Sequence, residues 1–250
     1  MHLLLERARI ILFILLVILF AALAGCSAPA PVEEPPPEQP SGRILILPHH
    51  DVAAPMVREA LSGFEEDKVV ILSPHHEAVG PPFITAQKGY DEALTARLTD
   101  AGAQARDDLV KAEWGVTELV PYFDGCALAA GALSRTVSDR AAGELASEAA
   151  ELVRDGCLVV ISLDFSHGLT ADMAQVRDEE TKALVLAGEP AAVLGLSSEY
   201  VDSSVLLYVA MEAGRQLEYE PTELAHKNAA DFRQVDGEVT SYFIFEWAAD

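Results

Sequence analysis

The chain has 250 residues, half of them hydrophobic, and a formal net charge of −23 at pH 7. That acidity argues against nucleic acid and against an anionic membrane surface as partners, because both repel it. About 40 N-terminal residues are not globular in character, and the roughly 210 that follow suffice for one α/β domain with a sizeable core.

Residues 1–25 read as a targeting segment. Arg7 and Arg9 make a basic start, and residues 10–22 are an unbroken apolar run of signal-peptide length, short for a spanning helix. The run leads into Leu23, Ala24, Gly25 and Cys26, which resemble the lipobox of bacterial lipoproteins. The resemblance implies cleavage before Cys26, lipidation of Cys26, and a lipid-anchored place in the cell envelope outside the cytoplasm. An uncleaved anchor with an incidental cysteine is the alternative. Residues 26–41 are proline-rich and form an extended, partly stiff tether, which leaves residues 42–250 as the folded domain.

Within that domain an apolar run from Arg43 stops at Pro48, the pattern of a strand. Residues 56–63 have the spacing of a short helix stopped by Gly63, residues 69–73 form a second strand, and residues 83–86 a further short one. Residues 90–101 are helical, with Leu94 and Leu98 on one face and Gly102 beyond. The alanine-rich residues 127–133 fit a strand or a tight helix equally. Ser138 caps a helix that runs to Arg154, with Leu145, Ala149 and Leu152 on its core face and Gly156 beyond its end. Residues 158–163 are a third long apolar strand, and Thr170 caps a helix over 171–186 closed by Gly188 and Pro190. A helix over 203–214 follows, then strands over 220–226 and 239–245 that pair antiparallel across a turn at Asp236 and Gly237. The alternation predicts a single α/β domain: a mainly parallel central sheet flanked by helices, with antiparallel edge strands near the C-terminus. No Walker A loop and no Gly-x-Gly-x-x-Gly are present, so nucleotide binding has no support. Cys126 and Cys157 fit a disulfide or two separate thiols, and neither has metal-ligand spacing to another cysteine.

Three of the apolar runs end in histidine. The first leads into His49, His50 and Asp51, the second through Pro74 into His75 and His76, and the third into Asp164, Phe165, Ser166 and His167. Continuous apolar runs suit parallel strands buried on both faces, and α/β sheets bind ligands beyond the carboxyl ends of such strands. Five of the seven histidines therefore stand where a site would be built. Neutral imidazoles held rigidly after strands, with a carboxylate, make a binding set for iron(II), and zinc or copper accept the same donors. Asp164 and His167 are placed for acid–base work.

These segments, Pro48 with His49, then Ser73, Pro74, His75 and His76, then Asp164 to Gly168, resemble the three signature segments of the Memo family. That family includes AmmeMemoRadiSam system protein B and is similar in fold to the class III extradiol dioxygenases. The resemblance spans residues 42–248 and implies His49 and His76 as metal ligands, His167 as the catalytic acid or base, and Asp164 as the residue that orients it. The family's third ligand is usually a cysteine, where this chain has Asp202. A carboxylate there shifts preference from copper(I) or zinc towards iron(II) or manganese; alternatively Asp202 only caps the 203–214 helix. A Glu-His-Ser-x-Glu segment of the family is replaced by Glu113, Trp114, Gly115, Val116 and Thr117. Trp114 forms an apolar wall of the site or packs in the core, the commoner place for tryptophan. His50, His75 and Glu77 orient the ligand imidazoles or line the entrance, and His226 is structural.

The resemblance implies a membrane-anchored metal-dependent oxidoreductase of extradiol-dioxygenase type acting on a small molecule. The alternatives are a non-catalytic iron- or copper-binding lipoprotein and a partner-binding scaffold with a vestigial site. Family members are often encoded beside radical-SAM and AMMECR1-like proteins, which implies a functional link to both.

Overall fold

Eight strands form one sheet: β1 Arg43–Leu47, β2 Lys68–Pro74, β3 Phe83–Thr85, β4 Gln104–Ala105, β5 Ala127–Leu133, β6 Leu158–Ser162, β7 Pro221–Asn228 and β8 Ser241–Trp247. This computed structural model describes residues 42–77, 79–233, 235 and 237–249. The expected signal segment, Cys26, the tether, and Asp236 of the expected turn lie outside the described residues. Among the described residues no helix is long and apolar enough to cross a membrane.

The strand order is β4-β3-β5-β2-β6-β1-β8-β7. The four central strands, β5, β2, β6 and β1, are mutually parallel. β3 runs antiparallel to β5 on one side, and β8 and β7 continue antiparallel on the other. The parallel strands are buried on both faces, which is why their sequences are apolar without alternation. Successive residues still serve opposite faces: Ile44 and Ile46 join one core, Leu45 and Leu47 the other.

Helices cover both faces. α1 Ala54–Ala60 and the short α4 Trp114–Thr117 pack on one side. α2 Glu92–Asp100, α5 Asp139–Arg154 and α7 Ser204–Leu217 contribute Leu98, Leu145 and Leu206 to the other. α3 Asp107–Val110 and α6 Ala171–Leu186 complete the set. Asp91 caps α2, Ser138 caps α5 and Ser203 caps α7, each accepting a backbone N–H three residues on. Thr170 precedes α6 as expected, but its side chain makes no capping bond.

The alanine-rich segment is strand β5, because β2 and β3 on either side take its backbone groups. Its small side chains suit close packing: a Cβ on Gly131 would stand 3.0 Å from the Phe83 ring and 3.1 Å from a carbonyl of β3. Cys126 and Cys157 are separate free thiols. α7 meets β8 more tightly still. A Cβ on Gly214 would lie 2.2 Å from Cδ1 and 2.7 Å from Nε1 of the buried Trp247. Gly214→Ala should therefore lower the unfolding free energy by about 1–3 kcal/mol through overpacking. Urea denaturation checks this, and an unchanged midpoint would show that the helix and the indole are not in register.

Candidate metal centre

The carboxyl ends of β1, β6 and β2 lie side by side. Leu47 pairs with Ser162, and Leu72 with Ile161, so the residues that follow emerge at one rim. His49 and His76 arrive from β1 and β2, with ring centroids 5.2 Å apart. Asp202 comes from farther along the chain. Its backbone N–H donates to the Asp164 carbonyl at 3.0 Å, the Asp164 N–H donates back to Asp202 Oδ2 at 3.2 Å, and Phe165 bridges Val201. Asp202 thus joins the rim by pairing with the segment after β6. It does not cap α7, since Ser203 does.

One ligand atom from each of His49, His76 and Asp202 lies within 4.8 Å of the others. His49 Nε2 and Asp202 Oδ2 are 3.6 Å apart, close to the roughly 3.0–3.5 Å expected of two donors on one ion with bonds near 2.1 Å. The remaining atoms fit as well. Ser162 Oγ holds His49 Nδ1 at 3.1 Å and leaves Nε2 free. Glu113 holds His76 Nδ1 at 3.0 Å and leaves its Nε2 free. Asp202 Oδ1 is buried without a hydrogen-bond partner. An orphaned carboxylate oxygen with two imidazoles, each held through one nitrogen with the other left free, is a donor set that could hold a divalent metal.

The electrostatics agree. Burial, with His76 and His50 nearby, pushes His49 down to about 3 and keeps it a neutral imidazole. Burial raises Asp164 to about 6. Burial and the neighbouring Asp164 carboxylate raise Asp202 well above the ordinary carboxyl range. A cation at the group reverses that last effect by supplying opposite charge. Burial alone would raise Glu113 too, but hydrogen bonds from His76 and His75 hold it below its usual value.

Glu113 is the residue the sequence reading left without a role. Its carboxylate accepts from His76 N–H at 3.3 Å, engages His76 Nδ1, and takes His75 Nδ1 at 2.6 Å. His75 also uses Nε2, on the Val79 carbonyl at 3.0 Å, so no nitrogen of it remains for a metal. Glu113 reaches this position because Gly115 does: a Cβ there would stand 2.1 Å from Ser73 Oγ and 2.8 Å from Ser162 Oγ. The adjacency of Glu113 to the altered segment was the available signal, and carboxylates behind ligand histidines are general.

His167 shares the cavity with His49, His76 and Asp164. Burial pushes it down, and its Nδ1 is buried with no hydrogen-bond partner. No hydrogen bond joins Asp164 to His167: Asp164 Oδ1 accepts the His49 N–H at 3.2 Å, and Asp164 acts on the His167 ring through its charge. Trp114 is not in the core. It is 72% exposed and lines that cavity, while Gly115 beside it packs against Ser73 and Ser162. His50 caps the turn Asp51–Ala53 through Val52 N–H and borders the same cavity. Glu77 is exposed and, among the described residues, makes no hydrogen bond to the cluster. His226 is structural: it stacks on Phe243 at 4.0 Å and meets Asp178 at 2.9 Å, and Asp178 also accepts from Ser166 Oγ at 2.6 Å.

No protein-family model matches the sequence, and no curated protein matches it. Among solved structures, the chain is similar to an uncharacterized protein, JW3007 from Escherichia coli K12, with a TM-score of 0.57 and 12% identity over 82% of this chain and 98% of that one. At that identity the likeness shows the fold alone.

Asp202→Asn should abolish tight binding of a divalent ion yet leave the metal-free fold at least as stable. The native fold keeps the raised Asp202 carboxyl protonated after the unfolded chain has ionised, so its contribution falls as pH rises from about 4. The variant's relative stability should therefore grow towards neutral pH in urea titrations of metal-free protein. A large loss of stability at neutral pH would make Asp202 structural. Glu113→Gln should weaken metal binding by about 10–100-fold, measured by competition with a chelator; unchanged affinity would remove its supporting role.

Proposed function

We propose that this chain is a Memo-like, lipid-anchored protein of the cell envelope that holds one divalent metal, iron(II) in preference to zinc or copper, and acts as an oxidoreductase of the extradiol-dioxygenase type. The observation that carries this reading is the convergence of His49, His76 and Asp202 from three separate parts of the chain. Two imidazoles and one carboxylate, with other positions open, are the ligand set of non-haem iron(II) oxygenases.

His49, His76 and Asp202 would hold the ion, with Ser162 and Glu113 fixing the two rings. When bound, iron(II) supplies a Lewis-acidic, redox-active centre where a substrate with adjacent hydroxyls and dioxygen meet. His167, kept neutral by burial and lining the cavity, accepts a proton from a substrate hydroxyl. Trp114 gives the cavity of about 510 Å³ an apolar wall against which an aromatic ring packs. The signal-peptide and lipobox pattern supports export and anchoring.

One observation favours a non-catalytic carrier of iron or copper instead: Trp114 stands where the resembled family has a histidine. Oxygen uptake separates the two. Iron(II)-loaded protein given a panel of catechols should consume about one dioxygen per catechol, since a dioxygenase places both atoms in its product. His167→Gln should keep the metal and lose about 10²–10⁴-fold in rate. Bound iron with no oxygen consumption from any catechol would leave the carrier; no bound metal after titration would remove both readings.

A further inference from the structure

Two cavities flank the metal group, and His76 and His167 line both. The one described above also brings Asp51 and Glu118 to its wall. The second, of about 420 Å³, brings Arg135 with Ser134, Thr136 and Ser198. The first lobe therefore has carboxylates on the wall away from the metal group, and the second has a guanidinium beside three hydroxyls, its one carboxylate being Asp202 of the metal group itself. Among the described residues, Arg135 is the only Lys or Arg lining either lobe.

Arg135 is held in place by the same segment that positions Asp202. Its Nε donates to the Asp202 carbonyl at 2.8 Å, and Nη2 donates to the carbonyls of Asp202 and Val201. Nη1 has no hydrogen-bond partner among the described residues. A guanidinium pinned along one edge loses little freedom when a ligand arrives, and its unengaged Nη1 is left to donate a charge-assisted hydrogen bond to a carboxylate oxygen. In a chain of net charge −23 the average field repels an anion, so the one pinned cation lining these cavities is where an anionic group is favoured.

We propose that the substrate of this centre carries a carboxylate that docks on Arg135 and the neighbouring hydroxyls, while Asp51 and Glu118 exclude it from the opposite lobe. The inference rests on the metal-binding reading above and adds the substrate's charge and orientation to it.

The full-length protein loaded with zinc(II), which binds without redox turnover, tests this. Calorimetry is run with protocatechuate, with its neutral amide, and with unsubstituted catechol. The acid should bind at least about tenfold more tightly than the amide, as a charge-assisted pair predicts. Arg135→Gln should abolish that preference, read as the ratio of acid to amide affinity on each zinc-loaded variant, and Arg135→Lys should restore part of it. Equal affinities for acid and amide in the unaltered protein would overturn the inference with no variant needed, as would a preference that survives Arg135→Gln. Absence of zinc uptake would instead sink the metal reading. The subsite is then decided on metal-free protein by melting temperature: benzoate, but not benzamide, should raise it, and only with Arg135 present. An equal response to the two would overturn the inference.

Discussion

Parallel hydrogen-bonded register is the constraint on which the rim depends. With Leu47 beside Ser162 and Leu72 beside Ile161, three strands end level, and the residues after them have nowhere to go but one edge of the sheet. A one-residue slip would turn every side chain of a strand to the other face and carry its histidine away from the cluster. The apolar burial of both faces therefore does more than stabilise the domain. It fixes the positions from which His49, His76 and Asp164 depart, and Ser162, the last residue of β6, steadies the His49 ring.

Around that rim the structure carries a local conflict that the rest of the fold absorbs. Two carboxyls are buried within reach of each other, an imidazole is held neutral, and a carboxylate oxygen lacks a partner. Such features lower stability and persist where a function needs them. The supports are conventional by comparison. Glu113 ties two adjacent histidines to one side chain, and Gly115 admits the turn that brings it there.

Most of the architecture was legible in the sequence. Uninterrupted runs of Ile, Val and Leu announced the central strands, and Ser138 before helical spacing marked the cap of α5. The alanine-rich β5 was ambiguous because small residues carry little periodicity, and α4, at four residues, is too short to show any. Of the candidate site, the residues placed by strand ends were readable. What was not readable depended on side-chain partners. The sequence suggested that Asp164 orients His167, and spacing gave no sign that Asp164 Oδ1 bonds the backbone N–H of His49. Tryptophan usually lies inside, but Trp114 is 72% exposed on the cavity wall. Arg135 gave no signal at all, since its partners are backbone carbonyls sixty-six and sixty-seven residues away.

The strand pairing has a last consequence, for assembly. A sheet that ends in a free strand offers unpaired backbone groups to any other copy of itself. Here one margin is β4, only two residues long, and the other is β7, which carries Pro221, Lys227 and a register shift between Glu223 and Ala225. β7 is also bolted inward by His226 on Asp178 and by Glu223 on Lys182 at 2.8 Å. Neither margin presents a long, flat template, so crowding many copies on a surface does not invite them to zip together.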